Sequence, residues 1–371
     1  MGRRARNELR SGVGLMLLVV LWICGSQSAV ADGSVESLFA DGSLYRVICQ
    51  QLDLSMESGE APSVEQLEAM EVLSAPDVGI TDLSGMETCV GLRSLDLGGN
   101  RIADIEPLRG LTSLEELDLS ANLVADVAPL ADLSRLTFLN LDFNVIFDIT
   151  SLANLRSLEW LGLWNCHVTS IEPLAGLGSL AVLGLGGCGI DDLSPLAGLT
   201  GLTWLGLRNN NVADLTPLTG LIRLEHLGLG ANRITDISAL SGMNRLIKLG
   251  LDGNAIEDVQ PLAVMENLKW VSLWGNRVVD ISCLDGKIHL SHLWLDNNPI
   301  ADISVLADLH ELSVLGLGGT CASDWSPLAS NPGLGSGDTV TLPGGELSEP
   351  QRSVIEVLEN RGACIEFAPS G

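Results

Sequence analysis

Hydrophobic residues return along most of this chain with a period of 22 residues. The period is marked by one polar residue that recurs as Asn100, Asn122, Asn144, Asn210, Asn232, Asn254, Asn276 and Asn298. Leucine stands eight, five and three positions before nearly every marker, as Leu92, Leu95 and Leu97 do before Asn100. Cys166, Cys188 and Thr320 occupy the same slot in three further units. About a dozen stacked units of this kind predict a repeat solenoid.

The spacing inside one unit predicts its local structure. Leu95 and Leu97 alternate with polar positions, so they form a short strand with both leucines inward and residues 94, 96 and 98 outward. Such strands would stack into a parallel sheet on one side of the solenoid. Only about ten residues remain for the return path, and proline recurs there, so 3₁₀ turns or extended segments are expected on the other side rather than α-helices.

The ends of the chain have patterns of their own. Arginines, a short apolar run and Ala29-Val30-Ala31 indicate a signal peptide over residues 1–31. Residues 32–69 are predicted to form an N-terminal helical cap, with a capping box at Ser63 and Gln66. The repeats extend over residues 70–333. A C-terminal cap follows over residues 334–371, where Ser348 and Gln351 open a helix.

The repeat resembles that of a known family. The unit L-x-x-L-x-L-x-x-N-x-I-x-D-I-x-P-L-x-x-L is similar to the 22-residue repeat of internalin-type bacterial leucine-rich-repeat proteins, and the likeness extends over residues 68–331. The resemblance implies an α/β repeat solenoid, the leucine-rich-repeat horseshoe, with a concave parallel β-sheet, a 3₁₀ or extended convex side and short helical caps. It also implies an exported protein (periplasmic, cell-surface or secreted) that binds a ligand on the concave sheet.

Charge narrows the class of partner. The chain carries 47 acidic and 20 basic residues, for a formal net charge of -27, and removal of residues 1–31 would shift this to about -30. Phosphate backbones would be repelled, so no nucleic-acid partner is expected. The apolar run of the signal peptide is too short to be a membrane span, so no stable membrane insertion is expected after its cleavage.

A column of aspartates and the cysteines admit more than one interpretation. The column comprises Asp82, Asp104, Asp126, Asp148, Asp192, Asp214, Asp236, Asp258, Asp280, Asp302 and Asp324, with Ser170 once in its place. A ladder of calcium ions is one interpretation, but one carboxylate per turn favours Asx-type turns. Cys166 and Cys188 are expected to be free buried thiols. Disulfides are expected between Cys49 and Cys89 and between Cys321 and Cys364, as staples of the two caps.

The outward positions of the strands carry the functional signal. They hold aromatic and basic side chains that we predict to bind a ligand, namely Phe138, Trp160, Trp164, Trp204, Arg208, His226, Lys248, Trp270, Trp274, His292 and Trp294. Between them lies the row Gly162, Gly184, Gly206, Gly228 and Gly250, which is expected to leave an open furrow walled by the aromatic rings. Aligned tryptophans exposed on a sheet are typical of a binding surface, although rings can also pack on one another across strands.

The sequence therefore predicts a recognition or adhesion module that binds a protein or peptide. A glycan or peptidoglycan ligand is the alternative, and a purely structural scaffold is a weaker one. No enzymatic activity, cofactor or metal is expected, because no catalytic set of side chains converges by spacing. Gly184-x-Gly186-x-x-Gly189 matches a dinucleotide-binding motif in its letters alone, since its first two glycines lie on a predicted strand and no long helix follows.

Overall fold

The repeats of this protein build one parallel sheet. The computed structural model describes residues 38–54 and 61–368, so the predicted signal peptide lies outside the described residues. Within those residues fourteen strands lie side by side in chain order, without a crossover. They are β1 Val72–Ser74, β2 Ser94–Asp96, β3 Glu116–Asp118, β4 Phe138–Asn140, β5 Trp160–Gly162, β6 Val182–Gly184, β7 Trp204–Gly206, β8 His226–Gly228, β9 Lys248–Gly250, β10 Trp270–Ser272, β11 His292–Trp294, β12 Val314–Gly316, β13 Thr339–Leu342 and β14 Cys364–Phe367.

Short 3₁₀ turns form the convex side, as the prolines predict. Pro107 lies at the second position of such a turn, where its missing N–H leaves no hydrogen bond unmade. The turns are Met86–Thr88, Glu106–Leu108, Ala128–Leu130, Thr150–Asn154, Glu172–Leu174, Ser194–Leu196, Thr216–Leu218, Ser238–Leu240, Gln260–Val264, Ser282–Leu284 and Ser304–Asp308. The predicted α/β repeat solenoid with a parallel sheet and a 3₁₀ side is thereby confirmed.

Helices stand at both ends of the repeats. They are α1 Gly42–Gln51, α2 Val64–Glu68, α3 Ser326–Ser330 and α4 Glu349–Asn360. The capping boxes predicted at Ser63 and Ser348 are both present, each closed by a glutamine three residues later. The longest helix of the described residues, α4, has 12 residues, and no helix among them could span a bilayer.

The core consists of leucine stacked on leucine. Neighbouring strands pair residue for residue at the period of 22, so that Trp204 pairs with His226 and Leu205 with Leu227. Each column of the sequence therefore becomes a straight row across the sheet. The inward rows are buried completely or nearly so, with Leu205 and Leu207 as examples. Trp325 is buried as well, as its inward position in the repeat predicts.

The recurring asparagine joins consecutive turns of the solenoid. Its side-chain amide at Asn144 donates to the Leu141 carbonyl at 3.0 Å and to the Leu119 carbonyl of the preceding turn at 2.9 Å. Its Oδ1 accepts from the Val124 N–H at 2.9 Å. Each asparagine of the row likewise donates to one carbonyl of its own turn and one of the turn before it. No buried side-chain nitrogen or oxygen in the described part of the chain lacks a hydrogen-bond partner.

Cysteine replaces this asparagine in two adjacent turns. The Cys166 thiol donates to the Leu141 carbonyl at 3.3 Å and the Cys188 thiol to the Leu163 carbonyl at 3.0 Å. Burial raises the pKa of the Cys166 thiol to about 11, which keeps it protonated as a donor. Both thiols are free and buried, as predicted.

The disulfides expected in the caps are absent. Cys49 and Cys89 are buried free thiols, and Cys321 and Cys364 are exposed free thiols. The prediction of those two bonds is wrong. It rested on the benefit that a staple would give a cap, whereas the described caps are held by capping boxes and by contact with the leucine core.

The row of aspartates forms Asx-type turns. Each carboxylate accepts a hydrogen bond from the backbone N–H two residues later, for example Asp104 from Glu106 at 2.9 Å. At Asp236 the bond from the Ser238 backbone, with one from its hydroxyl, lowers the pKa of the carboxyl. Ser170, the exception in the row, accepts the same bond through its hydroxyl. The turn interpretation is confirmed; in the described ranges no group of three or more His, Cys, Asp or Glu is placed to hold a metal ion.

A left-handed residue follows every strand of the repeats. The position is held mostly by glycine or asparagine, residues that tolerate positive φ, but Phe143 occupies it with φ of 57°. The Phe143 side chain is 55% exposed, so burial does not offset this backbone strain.

We expect Asn144→Leu to lower the free energy of unfolding by about 2 kcal/mol or more, because the buried Val124 N–H loses its partner and two buried carbonyls each lose one of two donors. Asn144→Cys should lose less, because a thiol can still donate, as the Cys166 thiol does. Urea denaturation followed by circular dichroism measures both changes. Equal losses in the two variants would contradict the account of the row.

We expect Phe143→Asn to raise the free energy of unfolding by about 1 kcal/mol, because asparagine adopts positive φ with less strain. The reverse change at an equivalent position, Asn209→Phe, serves as the matched control and should lower it by a similar amount. Thermal and urea denaturation test both. A loss of stability in Phe143→Asn would show that the ring stabilises the fold.

Candidate functional site

The predicted ligand-binding residues all lie on the outward face of the sheet. They form two outer rows, and every one of them is partly or largely exposed to solvent. One row holds Phe138, Trp160, Trp204, His226, Lys248, Trp270 and His292. The other holds Trp164, Arg208 and Trp274, and Trp294 lies in the row between them. The structure brings them together in groups rather than as one continuous surface.

Tryptophan rings lie against glycines on and beside strands β5–β7 of this face. A Cβ atom built on Gly206 would lie 2.6 Å from Cη2 of Trp204, and one on Gly162 would lie 2.7 Å from Cη2 of Trp160. Trp164 covers Gly186 of the next repeat in the same way, at 2.8 Å. Glycine is required there because any side chain would displace a ring.

This packing corrects one expectation. The glycine row does not form an open furrow from 162 to 250, because ring atoms of Trp160 and Trp204 occupy the space over Gly162 and Gly206. Gly184, between them, is buried as well, with Cζ3 of Trp204 3.9 Å from its Cβ position. Phe138 extends the covered region, since its ring stacks on that of Trp160 with centroids 4.4 Å apart and planes inclined by 21°. We call Phe138, Trp160, Trp164 and Trp204 the first aromatic cluster.

A second aromatic cluster comprises Trp270, Trp274, His292 and Trp294. The rings of Trp270 and Trp294 lie 4.8 Å apart at 52°, and His292 contacts Trp294 at 5.7 Å. Trp274 is 46% exposed, the largest exposure of any tryptophan in the described residues. An indole that adds so little to the core is available for a ligand.

Charged side chains lie between the two clusters. Arg208 reaches across Gly230 to Asp252 two repeats away, with its Nη1 2.5 Å from Oδ2. His226 and Lys248 pair across adjacent strands in the row opposite. Burial, with the charge of Lys248, lowers the pKa of His226, so its imidazole is neutral at pH 7.

Asp142 is a titratable residue of this face that sequence reasoning did not single out. Its Oδ1 accepts the backbone N–H of Trp164 at 2.6 Å, and this oxygen and Cη2 of Trp160 each lie 2.7 Å from the Cβ position of Gly162. Burial raises the pKa of the Asp142 carboxyl to about 6, and the nearby charge of Asp118 adds to the effect. A carboxyl that titrates under an aromatic cluster makes that cluster sensitive to pH.

Sequence reasoning also missed an exposed apolar edge beside the first cluster. Leu123, Phe143 and Phe147 are all more than half exposed, and Phe147 stacks on His167 with centroids 5.3 Å apart. The repeat pattern contains a signal for this edge. At the positions that follow each strand, most other repeats have small or polar residues, and these large apolar side chains depart from that pattern.

We expect Asp142→Asn to stabilise the protein at pH 7–8 by about 1–3 kcal/mol. The folded-state pKa lies above the unfolded value, so ionisation costs stability as pH rises through that interval, and the amide removes the cost while its oxygen still accepts the Trp164 N–H. The gain should vanish below about pH 4, where both states are protonated. Melting temperature against pH measures it.

Asp236→Asn is the control of opposite sign. The pKa of Asp236 is lowered, so its contribution is present above the unfolded pKa and is lost as pH falls through the folded one. Its substitution should therefore reduce stability at neutral pH. A pH-independent effect of Asp142→Asn would contradict the assignment.

Comparison with known proteins agrees with the fold. Residues 90–132 and 200–242 each match the family described as leucine rich repeats (2 copies). A search of curated proteins finds no significant match. The structure is similar to that of internalin F from Listeria monocytogenes, with a TM-score of 0.84 and 29% sequence identity, over 90% of this chain and 97% of that one.

Two more distant structures share the fold. The functional domain of internalin J from Listeria monocytogenes, which includes a cysteine ladder, aligns with a TM-score of 0.56 and 20% identity over 84% of this chain and 82% of that one. The leucine-rich-repeat ectodomain of a plant receptor kinase from Arabidopsis thaliana, in complex with CASPARIAN STRIP INTEGRITY FACTOR 2, aligns with a TM-score of 0.66 and 19% identity over 84% and 42%. Together the repeat, the sheet and these similarities show that the chain is a leucine-rich-repeat solenoid, and its structure is similar to that of the Listeria internalin F.

Proposed function

We propose that this protein is an exported recognition module that binds a protein or peptide on its concave face. Its internalin-type architecture is typical of protein–protein recognition and not of catalysis. The receptor ectodomain of the same fold was solved with a bound partner, which supports the same kind of role here. Export is proposed from the pattern of residues 1–31.

The observation that carries the proposal is the exposure of aligned aromatic rings. Stability is supplied by the leucine rows and the asparagine row behind the sheet, so the outward rings are not needed to complete the core. Large, rigid side chains that stay partly exposed on a flat sheet are the residues that dominate binding energy in protein interfaces. The first and second aromatic clusters would anchor the ligand at two points, with polar side chains between them.

We expect Trp274→Ala to weaken partner binding at least tenfold, which corresponds to about 1.4 kcal/mol, while the free energy of unfolding changes by less than about 0.5 kcal/mol. Trp204→Ala should also weaken binding, with a small loss of stability because its ring covers Gly206. Leu205→Ala, on the inward side of the same strand, should lower stability by ~2–5 kcal/mol.

The measurement has two stages. Proteins from envelope and host-cell extracts are captured on the wild-type chain and on the Trp204→Ala/Trp274→Ala variant, and those lost with the variant are purified. Calorimetric titration of each purified candidate then gives the dissociation constants. Equal binding by wild type and the double variant would refute the concave face as the site, and unfolding of Trp274→Ala would make that ring a packing element.

A glycan ligand is the second candidate, favoured by one observation. The Trp164 ring lies over Gly186, since Cδ2, Cε2 and Cε3 are all 2.8–2.9 Å from the Cβ position of that glycine, and the side chain remains partly exposed. Flat apolar platforms of this kind also suit the faces of sugar rings. Binding to an array of immobilised glycans that is competed by free sugar and lost in Trp204→Ala would favour it over a polypeptide.

A further inference from the structure

Two glycines in the middle of the concave face remain uncovered. A Cβ atom built on Gly228 would meet only the Cα of Gly206, at 3.9 Å, and no side chain. At Gly250 the nearest side-chain atom would be Cζ3 of Trp270, at 3.7 Å. Gly228 and Gly250 are partly exposed, whereas Gly162, Gly184 and Gly206 are buried. The floor of the sheet is therefore bare at β8 and β9.

Side chains enclose this bare floor on four sides. Trp204 lies over the preceding strand and Trp270 over the following one, which places apolar rings at both ends. Lys248 stands in the row on one side, and Arg208 stands in the row on the other. With strands about 4.8 Å apart, the opening is roughly 10 Å long, enough for one extended side chain. We call it the central socket.

Two cationic side chains and one carboxylate border the central socket: Lys248, Arg208 and Asp252, whose Oδ1 lies 3.9 Å from the Cβ position of Gly250 and whose charge is paired with Arg208. Arg208 is about half exposed and makes one hydrogen bond, through Nη1 to Asp252, which leaves its other N–H groups toward solvent. Lys248 is half-buried, and no carboxylate of the described residues lies within ion-pair distance of its ammonium group. The neutral His226 beside it adds a hydrogen-bonding ring without adding charge.

From this geometry we infer that the central socket accepts an acidic side chain, aspartate or glutamate, of the protein or peptide that binds the concave face. The inference rests on the proposed function and specifies its ligand. The carboxylate would take hydrogen bonds from the Lys248 ammonium and from the free edge of the Arg208 guanidinium, and its methylene stem would lie on the glycine floor against the Trp270 ring.

The buried acid beside the socket does not supply this carboxylate itself. Asp252 is 8% exposed and is already bonded to Arg208. It holds the guanidinium in place across Gly230, where any side chain would collide with both partners. The arrangement thus orients Arg208 and leaves the Lys248 charge without a counter-charge, which an incoming carboxylate would provide.

Two variants test the central socket and are designed to leave the fold unchanged. Gly228→Val narrows the socket: its Cβ has room, since the nearest atom is 3.9 Å away, its two methyl groups extend into the open floor, and a β-branched residue favours the strand; we expect an unchanged or higher melting temperature. Lys248→Met removes the charge and keeps the length of the side chain. Gly242→Ala, on the convex side with similar clearance, is the matched control.

The probe is a phage-displayed library of random linear peptides selected on the full chain. Peptides are kept when Trp274→Ala weakens them, which shows that they bind the concave face. We expect these peptides to share one Asp or Glu. Replacement of that residue by Ala should weaken binding to the wild-type chain at least tenfold, and should weaken binding to the Lys248→Met variant less than twofold. Gly228→Val should abolish their binding, and Gly242→Ala should leave it unchanged.

The failures of the two proposals are distinguishable. The inference about the central socket is wrong if the peptides that depend on Trp274 share no acidic residue. It is also wrong if their acidic residue is equally important for binding to Lys248→Met. In both cases the proposed function stands. If no selected peptide depends on Trp274, both proposals fail for polypeptide ligands. A fall in the melting temperature of Gly228→Val would be resolved by Lys248→Met, which tests the charge without filling the floor.

Discussion

One side chain, the asparagine that recurs in most turns, makes the hydrogen bonds on which the stacking of this structure depends. Asn144 bonds its own turn and the turn before it, so each such residue ties two consecutive units together at the end of the strand. Because a strand of three residues has too few ladder bonds to define its own register, the asparagine row and the leucine rows define it together. Columns of the sequence thus become rows of the sheet.

Because the inward rows fix the register, the outward side chains are not required for the stability of the fold. Since the leucine and asparagine rows carry stability, the outward positions can hold tryptophan, glycine, arginine or aspartate without loss of the fold. What they hold is coordinated nonetheless: a ring in one position goes with a glycine where the ring lies, as Trp204 does with Gly206. Arg208 and Asp252 likewise require Gly230 between them. Such pairs shape the surface without altering the backbone.

Electrostatics divides this face in a way that net charge does not reveal. The protein has 47 acidic residues, many in turns where a backbone N–H holds each carboxylate. These turns lie outside the strands that form the centre of the concave face. At that centre Lys248 and Arg208 stand over a bare glycine floor, while Asp142 lies under the first aromatic cluster with a raised pKa. Local burial and ion pairing therefore set the charges of this face, and the total charge does not reveal them.

The period of 22 residues by itself determined the fold, the register, the role of each aspartate and the outward placement of all the predicted ligand-binding residues, because alternation and spacing dictate which side of a strand a residue occupies. It could not determine the direction of each ring. Whether Trp204 stands beside Gly206 or lies on it depends on side-chain torsions that are settled by the neighbouring strands. The cap disulfides were predicted wrongly because cysteine positions in a sequence carry no distances. Two features are seen only in the tertiary structure: the uncovered floor at Gly228 and the exposure of Phe143 at a positive φ. Both depend on which neighbouring side chains leave a position uncovered.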